Sequence, residues 1–545
     1  MSKKITTTHH NSDNKPNNSR SSSPHYLMWF RRDLRLYDNT ALTALCEQAN
    51  DHEASATAIY FMTPKQWHEH DNSLAQIDHI ARTLPVLAND LQTKLNMTLN
   101  VYVCDDFEAC IEAMAEFCQE HKVTTVMAND EYEGNEGDRD ERLAEQLKKD
   151  NIEFIRHHDQ CVLPPLSITT NDGDSMYKVF TPFYRKWRDT LEAGSVTAHE
   201  PLTIINNNKT NKTIKSMALK SVKDNANTST SIEKLAHSIV DDYAITTEEN
   251  AEQTYTNSES QLEQSRKDYP AGETAAYQRL IDFTADDIKR YDVSRDKPIL
   301  QGTSHLSAYL TIGAISPRVC YLQAVKAQEK LHGNDSDNED INRWISELAW
   351  RDFYRHVLVD KPNLVQHKAY KEDIDKKVEW SYDKENFEAW CSGKTGVPLV
   401  DAAMRCLNAT GFMHNRLRMV TAMFLTKDLL IDWRWGERYF MQQLIDGDFA
   451  SNNGGWQWSA STGTDASPYF RIMNPFSQGK SHDAQGEFIK TWLPELKDVP
   501  ASTLHSEDKM RKAFKKGGGF AKKNYPTPIV EHKEARKQAI AEFKK

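Results

Sequence analysis

Gly411 to Pro475 reads GFMHNRLRMVTAMFLTKDLLIDWRWGERYFMQQLIDGDFASNNGGWQWSASTGTDASPYFRIMNP, a stretch rich in Trp, Asn, Arg and Asp with little Lys or Glu between them. Leu417, Val420, Met423, Phe424 and Leu430 recur at helical spacing, which predicts a helix over Asn415–Leu430 with its apolar side toward a core. Asn415 and Met419, four apart, share a face of that helix. In Asp446-Gly447-Asp448 two carboxylates flank a residue free to take positive φ, so both acids can converge on one ligand. Gly454-Gly455 permits close backbone approach ahead of Trp456 and Trp458, two indoles that cannot both be deeply buried if the segment runs extended beyond a helix end. The region is expected to wall a large, aromatic-lined cavity.

At 545 residues the chain exceeds one hydrophobic core, and two domains joined by a linker are expected. No apolar run approaches the length of a membrane span. Residues 1–25 are polar without an apolar stretch, a disordered tail by composition in which His9-His10 is an inert pair. The eight cysteines form no C-x-x-C pair and read as reduced thiols of a cytoplasmic protein; no metal site is expected. A net charge of −11 argues at first against nucleic acid. Residues 224–268, however, hold ten acidic residues against three basic ones, a solvated segment that leaves the remainder near balance and free to carry a local basic face.

Apolar runs at Tyr26–Phe30, Ala56–Met62, Leu99–Val103, Val123–Ala128 and Ile152–Ile155 alternate with helix-length amphipathic segments. They predict an α/β N-terminal domain over 26–160 with a five-stranded parallel sheet. No G-x-G-x-x-G follows the first run, which disfavours a dinucleotide dehydrogenase. The acidic stretch Asn129–Asp140 follows the fourth run at the carboxyl end of the sheet, where ligands of such folds usually bind, and otherwise reads as a solvated loop. Residues 161–268, with polar tracts at Asn206–Asn211 and Asn225–Ser231, read as a long and partly disordered linker. From 269 to 545 only helical patterns occur, so an all-α domain is expected. In it Gly302-Thr303-Ser304-His305-Leu306-Ser307 sets hydroxyls before a short helix, Ser307–Gly313, an opening able to meet a phosphate. Trp344, Glu347, Trp350, Arg351 and Tyr354 fall largely on one side of another helix. Two indoles with an acid and an arginine make a poor core face, because buried charge must be compensated.

With WFRRDLRLYDNTAL, GTSHLSAYLTIGAISPR, WISELAWRDFYRH, GKTGVPLVDAAMR, HNRLRM, LIDGDFASNNGGWQW and GTDASPYFRIMNP, the chain resembles the DNA photolyase and cryptochrome family, and most closely its bacterial class I cyclobutane pyrimidine dimer members. The resemblance implies an α/β antenna domain followed by a helical domain that holds FAD. By matching positions the FAD set is Tyr291, Thr303, Ser304, His305, Leu306, Ser307, Trp344, Arg351, Asn415, Asp446, Gly447, Asp448 and Asn452. Asn452 matches the residue facing flavin N5; plant-type cryptochromes resembling this family usually carry Asp there, and animal ones Cys. Trp380, Trp433 and Trp456 match an electron-transfer chain between surface and flavin.

On the substrate side, Glu347, Trp350, Met419 and Trp458 match a pocket for a thymine dimer, with Arg351 and Asn415 beside it. Arg295, Arg416, Arg471 and Gln478 match DNA-contacting positions. The related (6-4) enzymes use a histidine pair in this pocket, and Met419 stands where the second is expected. Asn135 and Glu136 match positions that bind a methenyltetrahydrofolate antenna, while Val365-Gln366 stands where some folate-binding relatives carry lysine. The implied activity is light-driven repair of pyrimidine dimers in DNA by a monomeric lyase using reduced FAD. The rival from another class is a cryptochrome-type light sensor without repair.

Overall fold

The computed structural model describes residues 24–545 except 171–174, 195, 202, 205–221, 251–258, 301, 332–334 and 516–524. The five apolar runs become parallel strands β1 (His25–Phe30), β2 (Ser55–Met62), β3 (Leu99–Val103), β4 (Val123–Asn129) and β5 (Glu153–His157). β1 to β4 are largely apolar on successive residues because both sheet faces are covered there, whereas β5 at the edge is only half-buried and carries Glu153 and Arg156. Side chains alternate between two cores. Leu27, Trp29, Ile59 and Phe61 enter one cluster with Phe117 and Leu143 from the helices Phe107–Glu120 and Gly134–Lys149. Met28, Phe30, Ala58 and Tyr60 enter another, which continues without a break to Tyr309 and Trp344 in the helical half.

The strand order is β5-β4-β1-β2-β3-β6, so the sheet has six strands and not the expected five. The sixth, β6 (Asp224–Ala226), runs antiparallel to β3 with Val101 opposite Ala226. It has no apolar pattern, because three residues joined by backbone hydrogen bonds to a sheet edge need none; its pairing covers that edge. The supposed connector 161–268 also carries order among its described residues. Helix Phe180–Ala193 buries Phe180, Phe183, Trp187 and Leu191, and Ser229–Asn250 lies along Leu74–Leu95. The tract Asn225–Ser231 therefore spans part of β6 and a helix start. Most of the N-terminal tail and Asn206–Asn211 lie outside the described residues.

The acidic stretch after β4 is likewise no solvated loop. Asn135 and Glu136 sit in the first turn of Gly134–Lys149, and Glu131, Glu133, Glu136 and Asp140 are buried. Their partners come from the end of β1 and from the helix itself: Arg31 to Asp140 at 2.7 Å, Arg32 to Glu133 at 2.9 Å and Arg139 to Glu131 at 2.9 Å.

Polar contacts lock the two halves together. Arg35 and Arg318 both grip the buried Asp159, at 2.6 and 2.9 Å. Gly313, at φ 71°, lies so close that a Cβ there would stand 2.0 Å from the Arg32 carbonyl oxygen. At the start of helix Leu74–Leu95, Ser73 Oγ donates to the Leu444 carbonyl and Gln76 Nε2 to the Gly447 carbonyl, each at 2.8 Å. The sheet domain thus holds the Asp446–Asp448 loop in place. No helix among the described residues is long and apolar enough to cross a membrane.

Candidate active site

A cavity of about 500 Å³ opens in the helical half, within the size range of ligand pockets. Helix Asp335–Asp360 contributes Trp344, Glu347, Leu348 and Arg351, spaced three and four apart on one face, with Trp350 and Tyr354 beside them. Opposite stand Asn415 and Met419, which do share a face of helix Asn415–Met423. That helix is shorter than its periodicity predicts: after Met423 the chain makes a π turn, Phe424–Asp428, and Leu430 takes φ 52°.

The third wall is helix Phe449–Ala460. It includes both Trp456 and Trp458, so the segment is not extended; two residues apart on a helix, Trp456 is buried and Trp458 half-buried, and both line the cavity. Glycines make this wall possible. A Cβ on Gly454 would lie 2.2 Å from the Tyr354 ring, and one on Gly436 would lie 2.1 Å from Trp456 Cη2. Gly447 does not take the positive φ expected of it.

The acids of that loop do face the cavity, each with its own arginine. Arg418 Nη2 donates to both oxygens of Asp446 at 2.9 and 2.8 Å. Arg355 Nη2 donates to Asp448 Oδ2 at 2.5 Å, while Asp448 also caps helix Phe449–Ala460 by accepting from the Ser451 N–H at 2.9 Å. Burial opposes ionisation of Asp448, yet Arg355 and Arg351 outweigh it and hold its carboxyl well below the usual range.

His414 caps the neighbouring helix through Nδ1, which accepts from the Arg416 N–H at 3.1 Å. Burial pushes its pKa down to about 4. The ring is therefore neutral with its proton on Nε2, a buried donor that finds no partner in the protein and belongs to the cavity wall. Asn452 is oriented by the same logic. Its Nδ2 donates to the Glu437 carbonyl at 2.9 Å, so the amide oxygen is left for the cavity, which Asn452 lines. Beneath it Glu437 accepts from His367 and from Asn453 Nδ2, at 2.8 and 2.7 Å.

Tyr291, Thr303, Ser304, His305, Leu306, Ser307, Arg295 and Asp446 also line this cavity, together with Glu347, which Arg295 pairs with at the rim. Gly447, Arg416, Arg471 and Gln478 are not in its lining. Arg416 is bound to Asp296 at 2.6 Å, Arg471 is exposed, and the Gln478 Oε1 is buried without a partner. Trp380 and Trp433 are not in the cavity lining. Asn135 lies elsewhere, donating to His70 at 3.1 Å, and Glu136 lines a second cavity of about 90 Å³ at the carboxyl ends of β1 and β2.

Arg355, Arg418, His414 and Phe180 are among the residues that escaped the sequence reading. Arg355 follows Arg351 by four, and Arg418 follows Asn415 by three, so helical spacing already marked both. Phe180 opens a helical pattern with Phe183, Trp187 and Leu191 that the polar composition around it conceals. It comes from the supposed linker and stacks on Trp350 with centroids 3.6 Å apart and planes 7° from parallel.

Comparison with known proteins identifies the arrangement. The family model described as the FAD binding domain of DNA photolyase matches residues 344–545, and that described as DNA photolyase matches 26–202. A deoxyribodipyrimidine photo-lyase of Escherichia coli is 42% identical over 518 residues, covering 95% of this chain and 98% of that protein. One from Vibrio cholerae is 40% identical over 529 residues, covering 95% and 99%. Among solved structures, a class III photolyase of Agrobacterium tumefaciens matches with a TM-score of 0.73 at 29% identity over 97% of this chain and 98% of its own. A Synechocystis cryptochrome matches at 0.74 and 26% identity over 96% and 100%. With its sheet domain packed on a helical half that encloses an arginine- and tryptophan-lined cavity, the chain belongs to the DNA photolyase family.

Proposed function

We propose that the protein is a deoxyribodipyrimidine photo-lyase that repairs cyclobutane pyrimidine dimers in DNA under blue light. The observation that carries this reading is one cavity whose wall includes Asn452, Asp446 and Asp448 as well as Glu347, Trp350, Met419 and Trp458. A cofactor and an extruded pyrimidine dimer can therefore meet in it.

The cavity's donor set suits FAD. Thr303, Ser304 and Ser307 offer hydroxyls for a pyrophosphate, the neutral His414 offers an unpartnered Nε2–H, and the arginine-paired Asp446 and Asp448 offer acceptors for sugar and ring N–H groups. Reduced FAD, when bound, supplies the light-driven electron that opens the cyclobutane ring and then recovers it. The protein's part is placement. Asn452 presents an amide oxygen, suited to accept from the N–H of a reduced flavin. Trp350 and Trp458 give flat apolar surfaces, and Phe180 braces Trp350 from behind. Glu347 is the hydrogen-bonding group for a pyrimidine. Extrusion of the target is the general rule for enzymes of this class, photolyases included, and a damaged pair that stacks poorly lowers its cost. Arg295, Arg416, Arg471 and Gln478 serve the phosphate backbone, which positions a strand without reading it.

Glu347→Ala is expected to lower the repair rate roughly ten- to a hundredfold, the worth of a hydrogen bond to a charged group, with flavin absorbance retained. Unchanged repair would remove Glu347 from the dimer site. Trp456, buried at the cavity wall, begins the electron relay that continues through Trp433 to Trp380 and reduces oxidised flavin in the light.

The antenna reading rests on Glu136. Its Oε2 is buried without a partner in the second cavity, and burial together with Glu133 raises its pKa. Such a carboxyl suits the N–H groups of a pterin. Val365, in the place of a lysine, packs against Gly134 instead, 3.0 Å from where its Cβ would lie. Addition of methenyltetrahydrofolate should give a bound near-ultraviolet band that Glu136→Gln weakens; a band of equal strength in the variant would exclude Glu136.

A further inference from the structure

Asp375 ends the short helix Glu372–Asp375, outside the cavity. Its Oδ1 accepts hydrogen bonds from the indole Nε1 of both Trp380 and Trp433, each at 3.1 Å, so the two indole nitrogens are no further apart than twice that distance. The other oxygen, Oδ2, accepts from Arg434 Nη2 at 2.6 Å. Arg434 is itself fixed by Asp432 at 3.1 Å and by the His367 carbonyl at 2.8 Å. Its guanidinium also lies over the Trp433 ring, 4.5 Å from the centroid. Trp433 is fully buried, whereas Trp380 is partly exposed, with its ring edge-on to Phe543.

These charges treat the two indoles differently. A cation over a ring is attracted to the neutral π face and repelled once that ring has lost an electron, so Arg434 disfavours an oxidised Trp433. The carboxylate favours an oxidised indole, whose N–H is both more polar and far more acidic than that of the neutral ring. Trp380 receives this second effect without the first.

We propose that Asp375 is the proton acceptor for oxidised Trp380, and that Arg434 biases the missing electron outward from Trp433. The proposal rests on the reading of Trp456, Trp433 and Trp380 as a relay that reduces photoexcited oxidised flavin. Trp380 passes one electron to oxidised Trp433, which is restored. The indole proton of Trp380 then moves along the hydrogen bond to Asp375 Oδ1, leaving a neutral indolyl radical and a carboxylic acid. The electron that Trp456 gave to the flavin can no longer return without recovery of that proton. An external thiol reductant later returns an electron to the radical, and Asp375 returns the proton.

The test is transient absorption of the flavin-loaded, oxidised protein after a blue flash, because cationic and neutral tryptophan radicals differ in spectrum. Asp375→Asn keeps the shape and an oxygen that can accept the hydrogen bond, but no charge and no basicity. In the unmodified protein the neutral radical should form at a rate independent of buffer concentration. In Asp375→Asn the cationic radical should persist roughly tenfold longer or more, decay at a buffer-dependent rate, and give less stable photoreduction, since a unit charge at contact is worth more than about 1.4 kcal/mol at the effective dielectric of about 20 that suits protein sites. Equal deprotonation rates in the two proteins would overturn the proposal. So would a buffer-dependent rate in the unmodified protein, a measurement that decides the matter even if Asp375→Asn does not fold. Absence of any tryptophan radical in the unmodified protein would overturn it together with the relay; a cationic radical that loses its proton directly to solvent would overturn the role of Asp375 alone.

Discussion

Replacement of Trp456 by phenylalanine is expected to slow light-driven reduction of oxidised flavin roughly a hundredfold or more, while chemically reduced protein still repairs dimers. A phenyl ring is much harder to oxidise than an indole, and a barrier increase of about 3 kcal/mol already gives that factor. The change should be tolerated by the fold. Trp456 packs on Phe440 and Trp390, with centroids 5.0 and 6.0 Å away, and against Gly436, so the smaller ring relieves one contact and leaves a modest void. A loss of about 1–2 kcal/mol is expected for such a truncation. Flash photolysis and dimer repair on the same preparation separate the two activities. Loss of both with flavin still bound would contradict the division between relay and repair.

The second large effect is on stability. Arg355 and Asp448 form a buried pair, with side chains 4% and 8% exposed. Removal of Arg355 leaves a carboxylate inside the protein with Arg351 and the weaker influence of Arg32 as compensation, and Arg355→Ala is expected to cost about 3–5 kcal/mol in urea unfolding at neutral pH. The pH dependence has a definite sign. Because the folded-state pKa of Asp448 is depressed, its contribution is complete above the unfolded carboxylate value of about 4 and fades as pH falls toward the folded value. The gap between Arg355→Ala and the unmodified protein should therefore narrow in acid. A gap that stays constant from neutral pH to acid would show that packing of the arginine stem, and not charge, carries the cost.

The parallel strands were legible because β1 to β4 are largely apolar runs between helices and β5 keeps a short one around Phe154 and Ile155, a pattern that needs no knowledge of distant partners. The sixth was not, since Asp224–Ala226 joins the sheet by backbone alone. Phe180, Phe183, Trp187 and Leu191 did carry a signal at helical spacing, but it was submerged in the polar composition around it. The walls of the cavity were readable where one helix supplies several groups, as with Trp344, Glu347 and Arg351 or with Asn415 and Met419. What could not be read was pairing across the fold. Glu131, Glu133 and Asp140 look solvated in sequence, because Arg31 and Arg32, which bury them, lie about a hundred positions earlier. Stacking of Phe180 on Trp350 belongs to the same class, as does the sharing of Asp375 by two indoles.

The most direct measurement is repair of an oligonucleotide carrying a single thymine dimer by purified, chemically reduced, flavin-loaded protein, under blue light and in darkness. The account predicts restoration of intact thymines in the light and none in the dark. Flavin-loaded protein that leaves the dimer unchanged under illumination would contradict it and place the chain with the light sensors of its family.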